Sequence, residues 1–97
     1  MRIVARRALR EFWERHPDAE QPLRAWYQDA RKADWRSPSD IMRVYSNASI
    51  VGENRVVFNI SGNRYRLVVA INYRYEVCYI RFVGTHQQYD RIDVTTI

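Results

Sequence analysis

The 97-residue chain has a single cysteine, Cys78, and so cannot close an internal disulfide. Cys78 lies in an apolar run and reads as a small buried hydrophobe in a protein of the reducing cytoplasm. There are only two histidines, His16 and His86, and they are far apart in sequence. No paired Cys or His occurs at metal-ligand spacing, and Asp90 and Asp93 are too loosely placed to argue for a divalent ion. Neither a Gly-rich phosphate loop nor a nucleophile elbow is present. The expectation is therefore a site without metal or cofactor. No apolar stretch is long enough to span a bilayer or serve as a signal peptide, so no membrane partner is expected. Gly and Pro occur three times each, with no repeat or linker, which points to one domain over residues 1–97.

Lysine is also nearly absent. Fifteen of the sixteen basic residues are Arg, Lys32 is the exception, and eleven acids leave a net charge of +5. Arg grips phosphate with two parallel hydrogen bonds and stacks on bases, so this excess fits nucleic acid; a general Arg-for-Lys bias would carry no function. Residues 1–50 carry ten bases and seven acids, and residues 51–97 carry six and four. There is no basic tail, so folding must build any phosphate site.

The two halves differ in hydrophobic period. Leu9, Phe12, Trp13 and His16 share one helix face, and Pro17 ends that helix. Asp18 is placed as the N-cap of a second helix, with Gln21 at the reciprocal capping position. Leu23, Trp26, Tyr27 and Ala30 continue its apolar face. Ser37-Pro38-Ser39-Asp40 predicts a third, short helix carrying Ile41, Val44 and Tyr45 inward. Trp13 is expected in the core; Trp35 is left open between core and partner interface. Strand patterns take over near residue 50. Val56–Ile60 is a β-branched and aromatic strand, Ser61-Gly62-Asn63 a hairpin turn, and Arg64–Ile71 an alternating strand. Asn72–Glu76 is a second turn. Val77–Val83 is the next strand, with Cys78, Ile80 and Phe82 on one face and Tyr79 and Arg81 on the other. The fold expected is α+β, with N-terminal helices packed on one face of an antiparallel meander.

Several polar side chains lie where this sheet would otherwise want apolar ones. Asn59 interrupts the first long strand, Asn63 lies in the turn, and Arg64 and Arg66 share a face of the second. Arg81 is near the end of the third, and His86 and Tyr89 follow Gly84. An alternating strand has a solvent face on which Arg is ordinary, the preferred reading for Arg64 and Arg74. Arg66, Arg81, His86 and Tyr89 together supply phosphate clamps, a group that titrates near neutral pH and an aromatic hydroxyl. A metal-free ribonuclease needs such parts, because RNA brings its own nucleophile, the 2′-hydroxyl. The enzyme must remove that proton, neutralise the crowded phosphorane and protonate the departing 5′-oxygen. Tyr89 could stack on a base or act as the acid.

The runs VFNISGNRYRL (57–67) and YIRFVGTHQQYD (79–90) resemble the HigB toxins, distant relatives of the RelE toxins. The helices and WRSPSDI (35–41) are compatible, so the resemblance covers nearly the whole chain. It implies a RelE-like fold and an endoribonuclease that cleaves mRNA on the ribosome, the bacterial 70S particle, in its A site. It also implies a HigA-type helix-turn-helix antitoxin as partner. By the resemblance Arg66 matches a strand arginine that holds the mRNA backbone, with Asn59, Asn63 and Arg64 as further RNA-binding candidates. Relatives can carry Lys at the position of Asn59 and a basic residue at that of His86. With a lysine base missing, His86 becomes first choice for proton transfer, alongside Arg66, Arg81 and Tyr89. Two other classes remain open: a non-catalytic RNA- or ribosome-binding module, and a ParE-like toxin that inhibits gyrase.

Overall fold

Leu9, Phe12 and Trp13 form a single stripe on the first helix, and that stripe is what the helix buries. The computed structural model describes residues 1–97. The elements follow as β1 (Arg2–Val4), α1 (Arg6–Arg15), a 3-10 turn (Pro17–Ala19), α2 (Glu20–Lys32), α3 (Pro38–Val44), β2 (Ser49–Val51), β3 (Arg55–Ile60), β4 (Tyr65–Asn72), β5 (Val77–Thr85) and α4 (His86–Tyr89). None of the helices is long and apolar enough to cross a membrane.

The five strands lie in the order β1-β5-β4-β3-β2. Strands β3 to β5 are the expected antiparallel meander; β2 adds an antiparallel edge strand on β3 and β1 a parallel pair along β5, so the sheet is mixed. Strands β1 and β2 are three residues each, too short to show an alternating pattern in sequence. The hairpin joining β3 and β4 closes at Ile60 opposite Tyr65, leaving Arg64 in the turn and not in the strand. Gly62 within it has φ +66, a conformation that glycine adopts without strain.

Helices α1 and α2 cover one face of the sheet. Leu9, Phe12, Trp13, Leu23, Trp26 and Ala30 meet Val56, Phe58, Ile60, Leu67, Val69 and Ile71 in one buried cluster. Complete burial of a side chain such as Leu67 or Phe58 contributes roughly 1.5–3 kcal/mol. Trp26 packs edge-on to Phe58 at 5.4 Å, and Trp35 stacks on it at 6.1 Å, so Trp35 belongs to the core. Trp13 is buried with Arg24 at 4.7 Å and Arg6 at 5.3 Å from its ring centroid. Cys78 is buried too, and that burial pushes its thiol up to about 12.

Both N-cap expectations need correction. Asp18 does not cap α2: its N-cap is Ala19 with no side-chain bond, and the Asp18 carboxylate turns to Arg64 and Tyr65. Ser37 does occupy the N-cap of α3, but its hydroxyl meets Ser39 Oγ, while Asp40 accepts the N–H of Arg36. Val44, expected inside, is 62% exposed because α3 ends there; Tyr45 turns in to Phe58 instead.

The opposite face of the sheet also departs from expectation. Val57, Val68 and Ala70 are buried there, where an ordinary solvent face was anticipated. The chain after α4 returns along it as far as Arg55, whose Nε donates to Ile97 O at 3.1 Å, with Ile92, Val94 and Ile97 half-buried. A bulge shapes this face. Ile80 pairs with Val69 and Phe82 with Val68, so Arg81 is an extra residue in β5. Phe82, assigned from alternation to the face of Cys78 and Ile80, therefore lies on the other one.

Candidate functional site

Beyond the bulge, β5 is in phase with Arg66. Asn59, Arg66 and Gly84 pair across β3, β4 and β5 to form one row on the sheet face away from the helices. Gly84 leaves a gap in that row. A Cβ there would lie 2.5 Å from Phe82 Cζ and 2.7 Å from Gln88 Oε1, so both side chains fit only because position 84 has none.

Helix α4 starts at once. Thr85 Oγ1 accepts from Gln88 N at 3.1 Å and Gln88 Oε1 from Thr85 N at 2.9 Å, a reciprocal cap that fixes the turn. Spacings of three and four put Tyr89 and Asp90 on the same side of the helix as His86. Tyr89 leans on Phe82 with ring centroids 6.4 Å apart, and the Arg66 guanidinium carbon is 5.9 Å from the Tyr89 centroid. His86 Nδ1 lies 3.2 Å from Asp90 Oδ2, which leaves Nε2 for a ligand.

Arg66 is the one charged residue the fold buries, at 8% exposure. Its Nη2 donates to Asn63 Oδ1 at 2.7 Å, and its Nη1 to the carbonyls of Asn63 and Tyr65 at 3.1 and 3.2 Å. None of the protein's ion pairs includes it. A guanidinium held by neutral acceptors and a ring face keeps its positive charge uncompensated, which disfavours burial and favours an arriving anion.

The candidates from sequence are not all in one place. Arg66, Asn59, Asn63, His86 and Tyr89 come together at this end of the sheet. Arg64 sits beside them but is spent on Asp18. The Asp18 carboxylate is held below the usual carboxylate range, first by the Tyr65 hydroxyl and then by Arg64. Arg81 stands apart: as the bulge residue it stacks over Tyr79, 5.4 Å from that ring's centroid. Asp93 accepts from Thr95 in its own turn, and no three His, Cys, Asp or Glu side chains gather to hold a metal ion. Two residues near this site, Asp90 and His16, are not among its candidates from sequence. Asp90 has a legible signal, its spacing of four from His86, but a helix of four residues leaves no periodicity to prompt the search. His16 borders a cleft shared with His86, and nothing local in sequence indicates that.

A family model described as HigB_toxin, RelE-like toxic component of a toxin-antitoxin system, matches residues 19–92, from the 3-10 turn through α4. The mRNA interferase toxin HigB of Escherichia coli strain K12 is 28% identical over 92 residues, covering 93% of this chain and 88% of that protein. The mRNA interferase HigB of Escherichia coli O157:H7 and that of Shigella flexneri show the same identity and coverage. The buried arginine and the groups around it are thus set in a fold that the match spans almost from end to end. The chain belongs to the HigB family, the RelE-like toxic components of toxin–antitoxin systems.

Proposed function

We propose that this chain is an endoribonuclease that cleaves mRNA at the end of the sheet around Arg66. The observation that carries this reading is the buried, carboxylate-free Arg66, flanked by Tyr89 and by His86 with its Asp90. The relatives named mRNA interferases support the substrate. Arg66 binds the scissile phosphate and neutralises the charge that builds on its non-bridging oxygens. The 2′-oxygen attacks phosphorus, the O2′–P bond forms, and the P–O5′ bond breaks. A 2′,3′-cyclic phosphate and a free 5′-hydroxyl result. His86 and Tyr89 divide the two proton transfers, one taking the 2′-hydroxyl proton and the other supplying the departing O5′. Asp90 orients the imidazole through Nδ1. Asn59 and Asn63 position the strand; Arg81 adds charge at a distance and is not in contact with the reacting group.

The biological setting is part of the proposal. Cleavage takes place in the cytoplasm on mRNA in the ribosomal A site, and the partner is a HigA-type helix-turn-helix antitoxin. Expression of wild type, Arg66→Ala, His86→Ala and Tyr89→Ala in cells, with mRNA 5′ ends mapped, tests it. New ends are expected with wild type only. Growth arrest without new ends overturns the nuclease reading, and DNA breaks in their place indicate gyrase inhibition. In excess EDTA, a cyclic phosphate product is expected, and a requirement for Mg²⁺ overturns the proposed chemistry.

A further inference from the structure

The two histidines, 70 residues apart in sequence, line one open cleft of about 340 Å3, within the size range of small-ligand sites. One wall is the end of α1, one the β3–β4 turn and one the start of α4. The His16 ring stacks on Phe12 at 4.3 Å and 11°, and meets Tyr65 edge-on at 5.5 Å. Two aromatic neighbours fix its plane. Its Nδ1 is buried without a partner, and the ring borders the cleft. Buried polar atoms ordinarily find partners, and a packing role alone does not require an imidazole here.

The rest of the lining has a definite chemistry. Arg64 is neutralised by Asp18, so the cleft is not a second phosphate trap. What remains is a set of hydrogen-bonding groups: the amides of Asn63 and Gln87 and the two imidazoles. These are the groups that read the edge of an unstacked base. The cleft also connects to the reacting centre. Asn63 lines it and, through its backbone and side-chain oxygens, holds Arg66. Asn63 is thus common to the cleft and to the Arg66 site.

We propose that the cleft between His16 and His86 is a base subsite for the nucleotide flanking the cleaved bond, with His16 a substrate-binding residue. The inference rests on the nuclease reading and adds to it a place where sequence preference is set.

The chain has only two histidines, so the Cε1 proton of each gives its own NMR resonance. The probe is a short single-stranded 2′-O-methyl oligoribonucleotide, which has no free 2′-hydroxyl to attack its own phosphate. Both resonances are expected to shift together and to fit one dissociation constant. His16→Phe keeps the stack on Phe12 and is expected to weaken binding about tenfold, the loss of one good hydrogen bond, with the melting temperature unchanged. Gln87→Ala, at an exposed position, is expected to weaken binding by roughly half that factor and so serves if the first variant folds poorly. If the His86 resonance shifts while that of His16 stays still, or if both variants bind like wild type, the subsite is overturned and the nuclease reading stands. If neither resonance moves, RNA does not engage this end of the sheet and both readings fall.

Discussion

The Tyr65 hydroxyl donates to Asp18 Oδ1 at 2.5 Å, joining residues 47 positions apart. The bond ties the turn after α1 to the first residue of β4, next to the strand position that carries Arg66. It also sets a pH window. The Asp18 carboxyl is lowered in the folded protein, first by this bond, and the Tyr65 hydroxyl is raised, first by the same bond. A lowered acid stabilises the fold above its unfolded value of 3.8 and loses that contribution as pH falls through the folded value. A raised phenol stabilises below its unfolded value of 10.0 and loses the contribution as pH rises through the folded one. Wild type should therefore melt above Asp18→Asn by a constant margin at pH 5–9 (roughly the span between the two unfolded values), narrowing on either side. Thermal melts across pH check this; a margin independent of pH would contradict it.

Arg66 should separate stability from activity. Its charge is buried without a carboxylate, so Arg66→Ala removes an uncompensated cost. The variant is expected to melt at or above the wild-type temperature while cleavage falls about a hundredfold to a thousandfold, as when a preorganised donor to a developing anion is lost. Arg66→Lys keeps the charge but loses the planar fork, and should recover only part of the rate. Single-turnover cleavage beside calorimetry measures both. A strongly destabilised Arg66→Ala would show that the guanidinium is structural.

Arg81→Ala should behave differently. The side chain is exposed over Tyr79 at the bulge, outside the Arg66–Tyr89 contact. Its loss is expected to reduce RNA affinity a fewfold, with a shallower salt dependence and an unchanged cleavage rate at saturation. A fall in the saturated rate comparable to that of Arg66→Ala would place Arg81 in the reacting centre.

Gly84→Ala should disturb the site from beneath. The new methyl group would press on Phe82 and on Gln88, whose Oε1 completes the cap of α4. A destabilisation of about 1–3 kcal/mol is expected from the overpacking, together with reduced cleavage as His86 and Tyr89 shift. Denaturant melts and cleavage rates test it; a fully active, fully stable variant would mean that Phe82 yields freely.

Cys78 should resist alkylation in the native state. Burial raises its thiol to about 12, so little thiolate exists at neutral pH, and the sulfur is out of reach of solvent. Iodoacetamide at pH 8 is expected to label it only as fast as the protein unfolds. Rapid labelling without denaturant would show that the β1 edge opens locally.

The sequence made the helices, the hairpin and three long strands legible because each holds enough residues for a period to repeat. It placed Arg66, Asn59, Asn63, His86 and Tyr89 in one neighbourhood for the same reason: strand order in a meander follows chain order. What it hid was set by long-range contacts. Asp18 has the local look of a cap, but a phenol and a guanidinium from β4 offer it stronger partners. The buried second face could not be read from alternation, because the chain after α4 that covers it has no regular pattern of its own. His16 and His86 share a cleft only through the packing of α1 against the hairpin.

The extra residue in β5 works as a phase shifter. Upstream of it Cys78 and Ile80 face the helices; downstream the parity is reversed, so Phe82 and Gly84 point the other way and α4 leaves the sheet beside Arg66. Deleting Arg81 alone would remove no contact of the reacting centre. It would leave Ile80 opposite Val69 and Phe82 opposite Val68, now as consecutive residues, so Gly84 and α4 would keep their side of the sheet. Position 81 is therefore a place where β5 can shed a residue while the reacting centre keeps its face of the sheet.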